Sequence, residues 1–330
     1  MHARHARTDH RMSIQNENEY EDLLSLWSDL EAGLAIILGS PGSIQEFRQR
    51  VGQYDRWMQG LLERDTDVGL YLLFQLAVNS PVGYSASHAL VSAVLCHLIA
   101  KELRLPPRER DPLVYAALTM NIGMTALQDE LANQIDKPSP EQQEAIRAHP
   151  MKGESILNQL GIVNELWLDI VSSHHDESTS KGDLRRIPPA HRLSRVLRVV
   201  DRYAAMISPR KSRSGRSASE SMRSLIGNTE TQNDEVVQAL MRVVGFSPPG
   251  TYVRLNDGEI AVVMRRSNVA NQPDVAIVVN QVGVPIKQPR LHRTTQGEPA
   301  IEAALPSTAV RDRLNHHLIL QLGAYVAPQP

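Results

Sequence analysis

Three histidines and an aspartate able to share a metal ion fall between His149 and Asp201, in an otherwise apolar setting. In Leu166, Ile170 and His174 the histidine continues an apolar stripe at fourfold spacing, so a helix turns it inward, with His175 beside it. Asp201 repeats the pattern one helix later, behind Leu193 and Leu197. His149 is expected to close the helix opened by Ser139, Pro140 and Gln142, an N-cap followed by proline and a capping-box partner. Pro150 should then bend or restart the chain. Cys96 is the sole cysteine, which excludes an internal disulfide framework and thiolate metal clusters. Any metal must therefore take imidazole and carboxylate. The plainer reading of the same residues is a core satisfied by hydrogen bonds, with Asp201 paired to a histidine.

The elements that must position these groups read as mainly helical. A chain of 330 residues with 42% hydrophobic side chains can bury a full core, as one large domain or two modest ones. The net charge of -2 and a pI near 6.6 give no reason to expect nucleic acid or an anionic membrane as partner. No apolar run is long enough to span a bilayer, and the N-terminus lacks the hydrophobic segment of a secretory signal, so a cytoplasmic location is expected. Residues 1–18, with His2, His5 and His10 among arginines, read as a disordered basic leader. Residues 19–80 form an N-terminal helical module with helices near 19–38, 43–64 and 66–79, either a docking and homodimerisation element or the opening layer of the main domain.

A helical core follows over 81–246. It holds helices at 88–103, carrying His88 near its start, and at 112–127, with Asn121 among residues that should be buried. After the helices of His149, the His174–His175 pair and Asp201 come a Ser/Arg/Gly-rich loop at 208–219 and two short helices. The period changes at 247–290, where short branched runs and the turn Asn256-Asp257-Gly258 predict a small antiparallel β subdomain. Residues 291–330 read as a mostly peripheral C-terminal tail with a candidate helix from Val310 to Leu322. Cys96 reads as core and His97 as half-exposed scaffolding. Arg192, Arg195 and Arg198, three apart, read as an exposed stripe. The chain lacks a Gly-rich loop ending in Lys-Ser/Thr, a Gly-x-Ser-x-Gly elbow and His-Glu-x-x-His, which removes three hydrolase classes.

The order of several segments resembles the HD-GYP family, a branch of the HD metal-dependent phosphohydrolases, over roughly residues 67–285. The matching pieces are His88 in its helix, His149-Pro150-x-x-Gly153-x-x-Ile156-Leu157, His174-His175-Asp176, Val200-Asp201-x-Tyr203-x-Ala205, and Gly250-Thr251-Tyr252-Val253-Arg254-Leu255 leading to Gly258-Glu259-Ile260-Ala261. The resemblance implies an HD-type helical bundle and hydrolysis of cyclic di-GMP with two or three metal ions. It implies that His149, His174 and His175 are ligands of one metal and that His88 and Asp201 help hold its neighbour.

Two departures weigh against catalysis. Where the family has His-Asp-x-Gly-Lys, this chain has Met120-Asn121-Ile122-Gly123-Met124, and the residues after His175 contain no Gly-Tyr-Pro. Met120 and Asn121 thus replace the pair that supplies the bridging carboxylate, and Met124 replaces a lysine that the family would aim at phosphate. Two-metal hydrolysis needs cations about 3.5–4 Å apart across a bridging oxygen, so no catalytic residue is assigned. The expected cofactor is none, or a single weakly held ion, iron or manganese. Arg210 and Arg213 fit the family's Arg-x-x-Arg/Lys element and can hold a cyclic dinucleotide that is not cut; the alternative is a solvated basic loop. The leading expectation is a catalytically degenerate protein of bacterial cyclic di-GMP signalling that acts through a protein partner and through nucleotide occupancy. The competing accounts are a phosphodiesterase that has recruited other ligands, such as Asn121 and Asp176, and a scaffold that binds no nucleotide.

Overall fold

The apolar periodicity of the first 245 residues resolves into helices, and the computed structural model describes residues 9–80, 82–176, 183–212, 215–227, 234–310 and 314–326. Helices α1 (Asp9–Gly39), α2 (Phe47–Arg64) and α3 (Thr66–Asn79) lead into α4 (Tyr84–Glu102), α5 (Pro107–Thr119), α6 (Thr125–Asn133) and α7 (Pro140–Gln159). Then follow α8 (Glu165–Ser173), α9 (Pro189–Ile207), α10 (Ala218–Ile226) and α11 (Glu235–Val244). Every residue of α4 from Ser85 to Ala100 is buried. That helix is buried and mostly apolar all round, as an element surrounded by others must be, and α1, α3, α5, α6, α9 and α11 pack around it. It is the axis on which the candidate site is hung.

Local signals set the ends of the helices. Ser139 and Gln142 form a capping box at the start of α7, Ser217 and Glu220 form another at α10, and Asp65 accepts from the amides of Asp67 and Val68 at α3. The start of α4 is held from outside: Asp129 on α6 accepts from the Ser85 amide at 2.7 Å and from its hydroxyl at 2.9 Å.

Strands β1 (Tyr252–Leu255), β2 (Ile260–Arg265), β3 (Asp274–Val279), β4 (Pro285–Arg293) and β5 (Ile301–Leu305) form an antiparallel sheet in the order β4-β3-β2-β1-β5. Alternation gives it two apolar faces. Tyr252, Val262, Met264, Ala276 and Val278 join the helical core, whereas Val253, Leu255, Ala261, Val263, Val275 and Ile277 form a second small core with Ile286 and Ile301. Gly250, at φ +87°, lets the chain enter β1 against α3, where a Cβ would lie 2.5 Å from the Tyr71 carbonyl oxygen. Arg265 on β2 pairs with Asp65, and Arg266 with Asp67 at 2.6 Å, so the sheet is pinned to the start of α3.

The architecture is the mainly helical bundle with a small C-terminal antiparallel sheet that was expected, but several boundaries differ. The basic leader read through residue 18 is shorter, because α1 begins at Asp9; residues 1–8 lie outside the described ones. Arg11, Met12, Gln15 and Glu17 are straight-chain residues that favour helix. The N-terminal module shares one continuous core with α4, through Trp27, Leu30 and Leu34. The region read as a peripheral tail supplies the edge strand β5 and the helix α12 (His316–Val326), which packs on α1 and the sheet. The single helix expected over 112–127 is broken into α5, a 3-10 turn at Ile122–Met124, and α6. Among the described residues no helix is long and apolar enough to cross a membrane.

That break sets the turn tightly against α7. A Cβ on Gly123 would lie 2.5 Å from the His149 carbonyl oxygen and 2.9 Å from the Gly153 amide nitrogen, so the turn rests directly on the backbone of α7. Gly123→Ala is expected to cost about 1–3 kcal/mol, in the range of core overpacking, and the denaturant midpoint reads it. An unchanged midpoint would show that the turn does not bear on α7.

Candidate metal centre

His149 sits inside α7 and His174 immediately follows α8, and both are fully buried. Contrary to the sequence expectation, α7 does not end at His149 but runs through Pro150 to Gln159. Proline has no amide hydrogen to give the carbonyl four residues back, which leaves the Ile146 oxygen without its helical donor. The His149 Nδ1–H donates to that oxygen at 2.6 Å. At the end of α8 the Val171 carbonyl is one of the terminal oxygens that no helical amide reaches, and the His174 Nδ1–H donates to it at 2.7 Å. A carbonyl can only accept, so both imidazoles carry their proton on Nδ1 and present a lone pair on Nε2.

Those two Nε2 atoms face each other at 3.3 Å. His175 completes the cluster from an exposed position, and the three histidines offer ligand atoms that all lie within 4.8 Å of one another. Burial above all, with the neighbouring His175 adding to it, pushes the His174 pKa down to about 3, and burial lowers that of His149. Both rings are therefore neutral near pH 7. Two neutral lone pairs pointed at one another repel unless a cation lies between them, so the geometry is that of an ion site.

His88 and Asp201 are placed differently. His88 Nε2 donates to Asp201 Oδ1 at 2.8 Å, from α4 to α9. Burial would raise the Asp201 pKa, but the His88 hydrogen bond and charge, with the charge interactions of His174 and His175, outweigh it and hold the carboxyl below the ordinary carboxylate range. His88 Nδ1 is buried without a hydrogen-bond partner among the described residues. Of the five residues read as metal ligands, the structure thus gathers His149, His174 and His175, and joins His88 and Asp201 to each other.

The replaced signature lies beside the cluster. Met120 is fully buried, and Asn121 and Met124 are half-buried at the two ends of the 3-10 turn. Asp176 is exposed, and its backbone carbonyl accepts from Arg198 at 2.6 Å. Residues 177–182, where the Gly-Tyr-Pro loop was sought, lie outside the described ones, as does Arg213.

Arg210 is described and half-buried. Its guanidinium carbon lies 4.8 Å from the centroid of the Tyr84 ring, and its Nη2 donates to the Tyr84 hydroxyl at 3.0 Å. Tyr84 in turn stacks on His88, with centroids 5.5 Å apart and an interplanar angle of 13°. Sequence reasoning missed Tyr84, although its place four residues before His88 on one helix was the available signal. Two further expectations need correction. Arg195 is no exposed stripe member but a buried partner of Asp234 at 2.8 Å, and Arg192 pairs with Glu109 at 2.5 Å. His97 is buried, with Nδ1 accepting from Arg110 at 3.0 Å.

Comparison with known proteins accords with this arrangement. A family model described as HD domain matches residues 72–237, about half of the chain. The chain is 29% identical over 201 residues to the cyclic di-GMP phosphodiesterase PA4108 of Pseudomonas aeruginosa, covering 59% of this chain and 48% of that protein. It thus spans about half the length of that relative. Among solved structures, Bd1817, a HDG"Y"P protein from Bdellovibrio bacteriovorus, superposes with a TM-score of 0.52 at 13% identity, over 69% of this chain and 72% of the other. At that identity the likeness speaks for the fold. From the matched helices, the buried histidine cluster and the family model over half of its length, the chain belongs to the HD domain family.

Proposed function

We propose that this protein is a hydrolysis-deficient member of the HD-GYP type that binds cyclic di-GMP without cutting it and acts in signalling through contacts with a protein partner. The observation that carries the reading is the direct His88–Asp201 hydrogen bond beside a turn holding Asn121 in place of a carboxylate. The groups that would hold a second ion satisfy each other. A bound ion at the histidine cluster would supply positive charge facing a phosphodiester. The protein's own groups do the rest: His149 and His174 present Nε2, His175 adds a third imidazole, and Arg210 offers a planar guanidinium suited to phosphate. Without a bridging carboxylate, a pair of ions has nothing to hold it at the spacing that hydrolysis requires.

Calorimetry with cyclic di-GMP, paired with turnover assays on cyclic di-GMP and linear pGpG in manganese or iron, tests the reading. Binding without cleavage is expected. Arg210→Ala is expected to weaken binding by about 10–100-fold, the loss of one or two charge-assisted hydrogen bonds. Cleavage that His174→Ala abolishes would favour the phosphodiesterase with a rearranged ligand set. No heat at high micromolar nucleotide would leave the scaffold.

A further inference from the structure

We propose that His149, His174 and His175 form an imidazole-only site for one late divalent cation of the zinc class, with Pro150 as the residue that positions it. The inference rests on the single-ion reading above and adds which ion the site selects and what holds the site ready.

The donor chemistry decides the ion. Manganese, like magnesium and calcium, is held best where carboxylate, carbonyl and water supply the charge and the hard oxygen donors, whereas imidazole suits zinc, copper, nickel and iron. Affinity at nitrogen sites also rises along the divalent series from manganese through iron towards zinc and copper. Among the described residues the convergent donors are three histidines. Asp201 is engaged by His88 at 2.8 Å. Residue 121, where a bridging carboxylate would stand, is asparagine. The Nε2 atoms of His149 and His174 stand 3.3 Å apart, and nitrogens about 2.0–2.1 Å from a shared ion at tetrahedral angles span about the same distance.

The backbone decides the readiness. A metal-bound histidine commonly donates its other ring N–H to a carbonyl or carboxylate, and removing that partner lowers metal affinity about 10–100-fold. His149 makes this bond to the Ile146 oxygen at 2.6 Å. That oxygen needs a side-chain donor because residue 150 is proline, in the middle of a helix that continues for nine residues more, to Gln159. An amide at 150 would compete for the same oxygen and release the imidazole to rotate or change tautomer. A proline unfavourable to the helix is thus the element that keeps Nε2 aimed at the cluster.

The test uses the full chain without an affinity tag, stripped of metal and reloaded with zinc, cobalt(II), manganese or, anaerobically, iron(II). His174→Ala, which retains the histidines of the N-terminal leader, serves as the blank. The expected result is one zinc per chain above the blank, displacing manganese with at least about 100-fold preference, and a cobalt(II) form with the intense visible bands of low coordination number. Pro150→Ala is expected to melt higher and to bind zinc about 10–100-fold more weakly. A melting point that rises with zinc affinity unchanged would overturn the positioning role. One ion per chain with manganese or iron preferred over zinc would overturn the choice of ion while the single-ion reading stands. Two ions per chain would overturn both, and zinc content no higher than the blank would overturn the site.

Discussion

Asp55→Ala is expected to destabilise the protein by about 3–5 kcal/mol, the usual result of removing one partner from a buried ion pair. Out of a total stability of about 5–15 kcal/mol, that is a large share of the margin. Asp55 on α2 is 2% exposed and Arg110 on α5 is 8% exposed. The guanidinium grips the carboxylate through both terminal nitrogens, each at 2.5 Å, and also donates to Asp111 at 3.0 Å and to His97 on α4. Burial alone would lower the Arg110 pKa, but the bonds and charges of Asp55 and Asp111 outweigh it and raise it. The guanidinium therefore cannot escape a lost partner by giving up its proton. It must stay charged and buried, beside a His97 ring whose pKa burial chiefly, with the Arg110 charge adding, lowers to about 4. Urea unfolding measures the loss. The double variant Asp55→Leu/Arg110→Leu should recover most of it, because no isolated charge remains. A single variant with an unchanged midpoint would show that the network carries no stability.

The same network shows what the sequence could and could not convey. Helical spacing identified α3 to the residue and turned His174 and Asp201 inward, because one-face periodicity follows directly from the period of the helix. The same logic misplaced His97 and Arg195, since a charged or polar residue reads as exposed until its partner is known. Those partners, Arg110 and Asp234, lie 13 and 39 residues away along the chain. The stop expected at Pro150 failed for a related reason: the rule that proline ends a helix holds only if nothing else satisfies the freed carbonyl, and here the preceding histidine does. The edge strand β5 was missed because its pairing with β1 spans almost fifty residues and its run Ile301–Leu305 is too short to show a period. What local pattern conveyed was which faces are apolar. Which polar groups meet across those faces required the fold.

If the site holds one ion as proposed, Met120→His/Asn121→Asp is expected to raise the metal content to two ions per chain, the strongest reversal expected for the site. The turn that carries both residues already lies against the cluster, because Gly123 allows it to touch the His149 carbonyl. Met120 is fully buried, so histidine there adds a ligand of similar length at a cost of about 1–3 kcal/mol for an extra buried polar group. The aspartate supplies what asparagine lacks, a negative oxygen that can bridge and offset the charge of adjacent cations. His88 and Asp201 would then exchange their mutual bond for a shared ion, a trade made favourable only by the new carboxylate. With oxygen donors restored, the second position should accept manganese or iron. Metal analysis gives the stoichiometry, and magnetic coupling in the spectrum of the manganese form reports whether the ions are adjacent. Asn121→Asp alone should give partial occupancy of the second position, since it restores the bridge without the extra imidazole. If the double variant folds, as its circular dichroism would show, and still holds one ion, then the missing carboxylate is not what limits the site to a single ion.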